Sequence, residues 1–185
     1  DTGQGVNERS LAPHDIAILV RSNRQAEEYR QAINEAGIPV VVASRQSVFQ
    51  TRECQEMLLL LQAIASPGET SRVKTAMTIN WFGKSGNSLH ELWQDEEQFS
   101  PYLRRFFQYN QLWQEQGFLP MMSRLLIEED VLPTLAAGKM AERCISNIHH
   151  LLELIQEEEN NEGLGIGQIL QWLGEMMQEG RSATD

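Results

Sequence analysis

The sequence predicts a mainly α-helical protein that begins with a partial α/β unit. Two short apolar runs, Ile16–Val20 and Val40–Val42, enclose a helical pattern near the N-terminus. From Thr51 onward, apolar residues recur at helical spacing and no further strand pattern is found. Strand, helix and strand followed only by helices indicate a partial sheet unit joined to an all-α subdomain.

The first unit has the pattern of a βαβ motif. Ile16–Val20 is a continuous apolar run, typical of a strand buried on both faces of a parallel sheet. Ser22 and Gln25 fit a capping box, which predicts a helix that ends at Gly37. Val40–Val42 is then the second strand, reached by a right-handed crossover. Two strands do not make a stable sheet, so further strands from outside these 185 residues are expected, or the unit is poorly supported.

The rest of the chain divides into short amphipathic helices. They are predicted to begin near Thr51, residue 70, Ser88, Ser100, Pro120, residue 140 and Ile166. The clearest is expected to cover about residues 140–158, and a polar break from Glu157 to Gly165 precedes the last helix. The helical pattern is interrupted at Ile79–Gly83, so we divide the chain into residues 1–78 and residues 79–185.

Charge and composition limit the classes of function. The 185 residues carry a net charge of −11, of which residues 1–80 account for −1 (8 basic, 9 acidic) and residues 81–185 for −10 (7 basic, 17 acidic). A strongly acidic surface repels phosphate, so we expect weak or no binding of duplex DNA by the chain itself. No apolar run approaches the ~20 residues that cross a bilayer. Cys54 and Cys144 form no CxxC pair, which favours reduced thiols in a cytoplasmic protein and argues against zinc.

The polar segments at the two ends, residues 1–10 and 180–185, indicate linkers of a longer chain.

Several groups that suggest chemistry have a simpler structural explanation. Gly83-Lys84-Ser85 lacks the glycine that a Walker loop requires at position 78, which is Thr78, so a turn between helices is predicted. The acidic runs Asp95–Glu97 and Glu157–Glu159 are expected to be solvated helix ends, because consecutive residues of a helix point in different directions.

Histidines and aromatic residues are likewise interpreted as structural. His149 and His150 have no partner at metal-ligand spacing. The aromatic residues between Tyr102 and Trp113 recur at helical spacing in acidic surroundings, which predicts core packing and not base stacking.

Arg21 is the candidate site residue. It follows the first predicted strand directly, at the carboxyl edge where ligands bind in open α/β sheets. Its planar, permanently charged side chain suits an anion such as phosphate. Its position alone is equally compatible with a surface arginine paired to a nearby acid.

Three stretches of the sequence resemble one family of DNA motors. Asp15–Asn23 and Ala36–Val40 resemble motif IV and its surroundings in the UvrD/Rep-type superfamily 1A helicases. Ser44–Thr51, with the helix that follows it, is more specifically similar to the RecB-type branch. Glu142–Leu154 is similar to a helix of the subdomain inserted in that branch.

The resemblance implies a place for each part of the chain. Residues 1–78 would be the start of the second RecA-like motor domain (2A), and residues 79–185 the helical 2B insertion. Arg21, matching the motif IV arginine, would contact the γ-phosphate of ATP. ATP and magnesium would serve the parent enzyme, while the chain itself is expected to bind no cofactor and to hold neither a complete catalytic site nor a metal site.

The resemblance also implies the function of the parent enzyme. That enzyme would be a bacterial, cytoplasmic ATP-dependent helicase and exonuclease that unwinds and resects duplex DNA ends in double-strand-break repair and recombination. Its partners would be DNA and RecC-like and RecD-like subunits, with no membrane. The chain alone is expected to be inactive.

The sequence departs from the family pattern at two places, and two alternative functions are compatible with it. Val20 stands where UvrD relatives carry a tyrosine that stacks on adenine, and Phe82–Gly86 stands where they carry a Gly-Ile-Gly turn that grips duplex DNA. An AddA- or UvrD-like helicase is one alternative. The other is a free-standing helical protein-interaction module.

Overall fold

The computed structural model describes residue 12 and residues 15–20, 23–40, 48–138 and 140–182. In this part of the chain every regular element is helical, which confirms the mainly α prediction. The α-helices are α1 (Asn23–Glu35), α2 (Arg52–Ala65), α3 (Thr70–Ala76), α4 (Gly86–Gln94), α5 (Glu96–Gln116), α6 (Phe118–Glu128), α7 (Val131–Ala136), α8 (Ala141–Glu162) and α9 (Ile166–Ser182), with a 3-10 helix at Asn80–Phe82.

The chain forms two compact units that divide between Ser44 and Arg45. We call the described residues up to 40 the N-terminal unit, and residues 48–182 the helical unit.

Helix α1 of the N-terminal unit ends where the sequence predicts. Gly37 has a φ of 75°, a left-handed conformation that glycine adopts without steric cost. The Ile38 amide donates to the Ile33 carbonyl at 3.2 Å, the longer bond of a Schellman motif. Gly37 is therefore confirmed as the C-terminal stop.

The predicted βαβ motif is not seen in the described residues. Residues 16–20 carry no regular structure, and Leu19 is 98% and Ile16 58% exposed, so this run is neither a strand nor buried. Of the second strand only Val40 is described, and it too is irregular; residues 41–42 lie outside the described residues. A strand requires a neighbouring strand to pair its backbone groups, and no strand occurs in the described residues of this unit.

The helical unit is built around α2. Its side chains Met57, Leu60, Leu61 and Ile64 are fully buried, and α2 packs against α3, α5, α8 and α9. Such burial on several faces is expected of a helix in the middle of a domain. Thr51 caps it, since its hydroxyl accepts a hydrogen bond from the Cys54 amide at 3.3 Å, as predicted.

The aromatic residues of α5 confirm the prediction of core packing, with one exception. Phe106 and Tyr109 are fully buried and Trp113 almost so. Phe106 packs edge-on against Tyr109 with ring centroids 6.1 Å apart. Phe107 is 53% exposed because it lies on the solvent side of the same helix.

Two predicted helix starts are wrong by three to five residues. Helix α4 is capped by Ser85, whose hydroxyl accepts from the Ser88 amide at 3.2 Å, so Ser88 lies inside the first turn. Helix α5 is capped by Asp95 and begins at Glu96 instead of at Ser100-Pro101, so Pro101 lies within the helix. In both cases the side chain of a residue earlier in the chain, Ser85 or Asp95, accepts a hydrogen bond from a free amide of the first turn. Serine and aspartate are both favourable capping residues.

The later helices differ in extent from the prediction. Helix α8 continues to Glu162 and ends at Gly163, whose φ is 62°. The polar run from Glu157 is therefore helical as far as Glu162, and the predicted break is confined to residues 163–165. Helix α7 is not predicted; it follows Asp130, which has the left-handed φ of 50°.

The packing of α2 and α3 concerns the predicted division of the chain near residue 78. Both helices lie within the helical unit and share its core with α5. The compact units thus divide before residue 48, while the division at 78, which refers to the motor domain of a parent enzyme, stays a prediction. Within the described ranges, we find no helix whose length and hydropathy would suit a membrane span.

Candidate functional site

Arg21, the residue singled out by the sequence, lies outside the described residues, as does the predicted cap Ser22. The neighbouring Val20 is described and half-buried. The proposed role of Arg21 therefore depends on its place in the sequence pattern, and the described contacts concern the helical unit.

The segment Gly83–Ser85 forms a turn between two helices, as predicted. Gly83 ends the 3-10 helix with a φ of 59°, and its amide donates to the Asn80 carbonyl at 3.2 Å. A Cβ at Gly83 would lie 2.8 Å from Cγ2 of Thr134 in α7. The turn is thus fixed against α7 by a contact that only glycine permits.

The side chain of Lys84 in this turn lies over an aromatic ring. Its Nζ is 5.1 Å from the centroid of the Tyr102 ring, and the guanidinium of Arg105 is 4.3 Å from the same centroid. Cations at these distances are attracted by the ring quadrupole. Tyr102 therefore gathers two positive charges in a part of the chain that is otherwise strongly acidic.

Arg105 also joins α5 to the end of α6. Its Nε and one terminal nitrogen donate to the two carboxylate oxygens of Glu129 at 2.6 and 3.2 Å. Burial disfavours the charged guanidinium, but the hydrogen bond and the charge of Glu129 outweigh it and raise the pKa of Arg105. The pair is a bidentate ion pair that fixes the orientation of both side chains.

The Tyr109 hydroxyl lies between two carboxylates. It is 3.0 Å from an oxygen of Glu128 and 3.0 Å from an oxygen of Glu129. A phenol has one proton to donate, so at any moment it donates to one of the two. Burial and the adjacent negative charges raise the pKa of Tyr109 above its ordinary value, so the hydroxyl keeps its proton.

Glu159 of α8 closes the junction between α5 and α6. Both of its carboxylate oxygens accept hydrogen bonds from the Phe118 amide, at 2.9 and 3.1 Å, and one accepts from Nε1 of Trp113 at 3.0 Å. Gly117, the residue before Phe118, has no side chain to cap α6. A carboxylate from a distant helix thus takes the place of the N-cap.

This role corrects the prediction that Glu157–Glu159 is only a solvated helix end, since Glu159 is half-buried and bonded to two other helices. The prediction holds for Asp95–Glu97, since Glu96 and Glu97 are exposed in the first turn of α5. Asp95 caps this helix, and the hydrogen bond from the Gln98 amide lowers the pKa of Asp95.

Glu53 connects α2 to α8. It accepts a hydrogen bond from Nδ2 of Asn147 at 2.9 Å and another from the Cys144 thiol. Burial raises the pKa of Glu53, but these bonds outweigh it and place that pKa below its ordinary value. The bond to Glu53 and burial raise the pKa of Cys144, and burial raises the pKa of Cys54 to about 12, so both thiols stay protonated at neutral pH.

Acidic side chains of the helical unit do not converge on a metal position. Among the described residues, no group of three or more His, Cys, Asp or Glu could hold a metal ion. Glu91 and Asp95–Glu97 line an open depression where α4 meets α5. Neither His149, which is exposed, nor the half-buried His150 belongs to a metal-binding group.

The polar contacts above tie helices together across large sequence separations, from 19 residues for Tyr109–Glu128 to 94 for Asn147–Glu53. No local motif marks such pairs, so reasoning from the sequence missed them. The one available signal was the presence of a glutamate beside apolar positions of a helix. These contacts hold the helices of the helical unit in fixed positions and so give it a rigid surface.

Comparison with a family model and comparison with individual proteins identify the same family. A model of the UvrD-like helicase C-terminal domain matches residues 4–178. The RecBCD enzyme subunit RecB of Escherichia coli K12 is 34% identical over 154 residues, which make up 83% of this chain and 13% of that protein. The RecB subunit of Haemophilus influenzae is 29% identical over 80% of this chain and 12% of its own length. That of Mycobacterium tuberculosis H37Rv is 24% identical over 89% and 15%. The chain thus spans about an eighth of the length of these relatives.

Proposed function

The chain belongs to the UvrD-like helicase C-terminal domain family, and we propose that it works within a RecB-type, ATP-driven DNA helicase and exonuclease. The observation that carries this proposal is the 34% identity to the RecB subunit of the RecBCD enzyme over 83% of the chain. Such an enzyme would unwind and resect duplex DNA ends in recombination and repair. Its partners would be DNA and subunits like RecC and RecD, in the bacterial cytoplasm.

The two parts of the chain would have distinct tasks in this enzyme. Residues 1–78 would belong to the second motor domain, where ATP and magnesium bind, and Arg21 would contact the γ-phosphate. Residues 79–185 would be the helical insertion that positions the motor relative to DNA and the partner subunits. The positioning role is supported by the packing of these helices, which share an apolar core. They are also joined by polar contacts such as the bidentate ion pair of Arg105 and Glu129.

The chain by itself would neither hydrolyse ATP nor grip duplex DNA tightly. Its 185 residues contain no Walker lysine pattern. Residues 81–185 carry a net charge of −10, which opposes binding to phosphates.

The test is the exchange of Arg21 for alanine in the complete enzyme. A guanidinium at the γ-phosphate stabilises charge that develops as the phosphoryl group leaves, and such arginines contribute roughly 10³–10⁵ in turnover. Arg21→Ala should therefore strongly reduce steady-state ATP hydrolysis at saturating DNA, while single-strand binding persists. Arg21→Lys should restore little, because a point charge does not reproduce the planar donor.

The matched control is Arg72→Ala, which removes an exposed arginine that pairs with Glu69 at 2.6 Å in the helical unit. It should leave turnover unchanged. If Arg21→Ala itself keeps turnover within about threefold of the wild type, a loss of under ~1 kcal/mol, then Arg21 is a surface residue and the γ-phosphate role is wrong.

A further inference from the structure

We draw no further inference here: the strongest candidate, the turn of residues 83–85 at the start of α4 with the Lys84 ammonium over the Tyr102 ring, is a helix N-terminus at which no second observation points to a ligand.

Discussion

At the scale of single residues, Glu159 shows how one carboxylate can organise three helices. It receives hydrogen bonds from the Phe118 amide and the Trp113 indole, which lie on either side of Gly117. Hydrogen bonds to a charged acceptor contribute more than those between neutral groups, about 1.5–3 kcal/mol. The start of α6 therefore depends on a side chain 41 residues away.

Glu159→Gln should lower the free energy of unfolding by about 1–2 kcal/mol, because the amide keeps one acceptor oxygen and loses the charge. Urea unfolding followed by circular dichroism measures the change as a shift in the midpoint at constant slope. Glu162→Gln, an exposed position on the same helix, is the control and should shift the midpoint little. Equal midpoints for the two variants would show that the Glu159 contacts do not stabilise the junction.

A pH dependence is expected at Glu53. Its pKa in the folded protein lies below the ordinary value, so its stabilising contribution is present above the carboxyl pKa of the unfolded chain. That contribution is lost as the pH falls through the lower folded pKa. The free energy of unfolding of the wild type should thus exceed that of Glu53→Gln by roughly 1 kcal/mol near neutral pH. The difference is modest because solvent screens a half-buried carboxylate.

This pH dependence is checked by measuring the free energies of unfolding of the wild type and of Glu53→Gln between neutral and acidic pH. The difference between them should shrink toward zero at the acidic end. Glu153→Gln, at an exposed carboxylate of α8, should give a difference near zero throughout. A gap that stays constant with pH would mean that the charge of Glu53 is not the source of its effect.

At the scale of elements, the turn between the 3-10 helix and α4 depends on the absence of a side chain. Gly83 has a left-handed φ of 59° and lies against Thr134 of α7, whereas a Cβ at Gly86 would meet nothing within 4 Å. The two glycines lie three residues apart, but an added side chain would clash at Gly83 and would meet open space at Gly86. The pair therefore offers a matched test of the packing between the turn and α7.

Gly83→Ala should destabilise the protein by about 1–3 kcal/mol, since it adds left-handed strain and a 2.8 Å contact with Thr134 Cγ2. Gly86→Ala, in the first turn of α4, should be neutral or stabilising by up to about 1 kcal/mol. Thermal unfolding of the two variants measures both effects. The same melting temperature for both would contradict the described turn.

At the scale of the whole molecule, the two units differ in how much core they own. The buried apolar residues of the described chain all lie between Val48 and Leu173, in the helical unit. In the N-terminal unit, Ile16, Ile18, Leu19, Tyr29 and Ile38 are exposed. Apolar burial is the main stabilising term of folding, so local stability should be concentrated in the helical unit.

Amide hydrogen exchange should therefore be faster in residues 15–40 than in the part of α8 around residues 143–156. Mass spectrometry of peptides from the exchanged chain measures the contrast, and dilution controls for association between copies. Equal protection of both segments in a monomer would mean that the N-terminal unit is stabilised by contacts other than those described.

Local pattern was enough to predict much of this protein. The apolar spacing predicted α2 and α9, and the stop at Gly37 follows from its conformational freedom. The resemblance to the UvrD/Rep-type helicases is confirmed by a match to the UvrD-like helicase C-terminal domain family over residues 4–178. These features are local in sequence, because helix periodicity, caps and short motifs each involve neighbouring residues.

Tertiary structure decided the rest. Whether Glu159 faces solvent or the start of α6 depends on which helices lie alongside. The same holds for residues 16–20, whose apolar pattern suits a strand but which carry no strand structure. A cap, an ion pair or a strand is stabilised only when its partner is near in space, and partners 19 to 94 residues apart are brought together by the packing of the core.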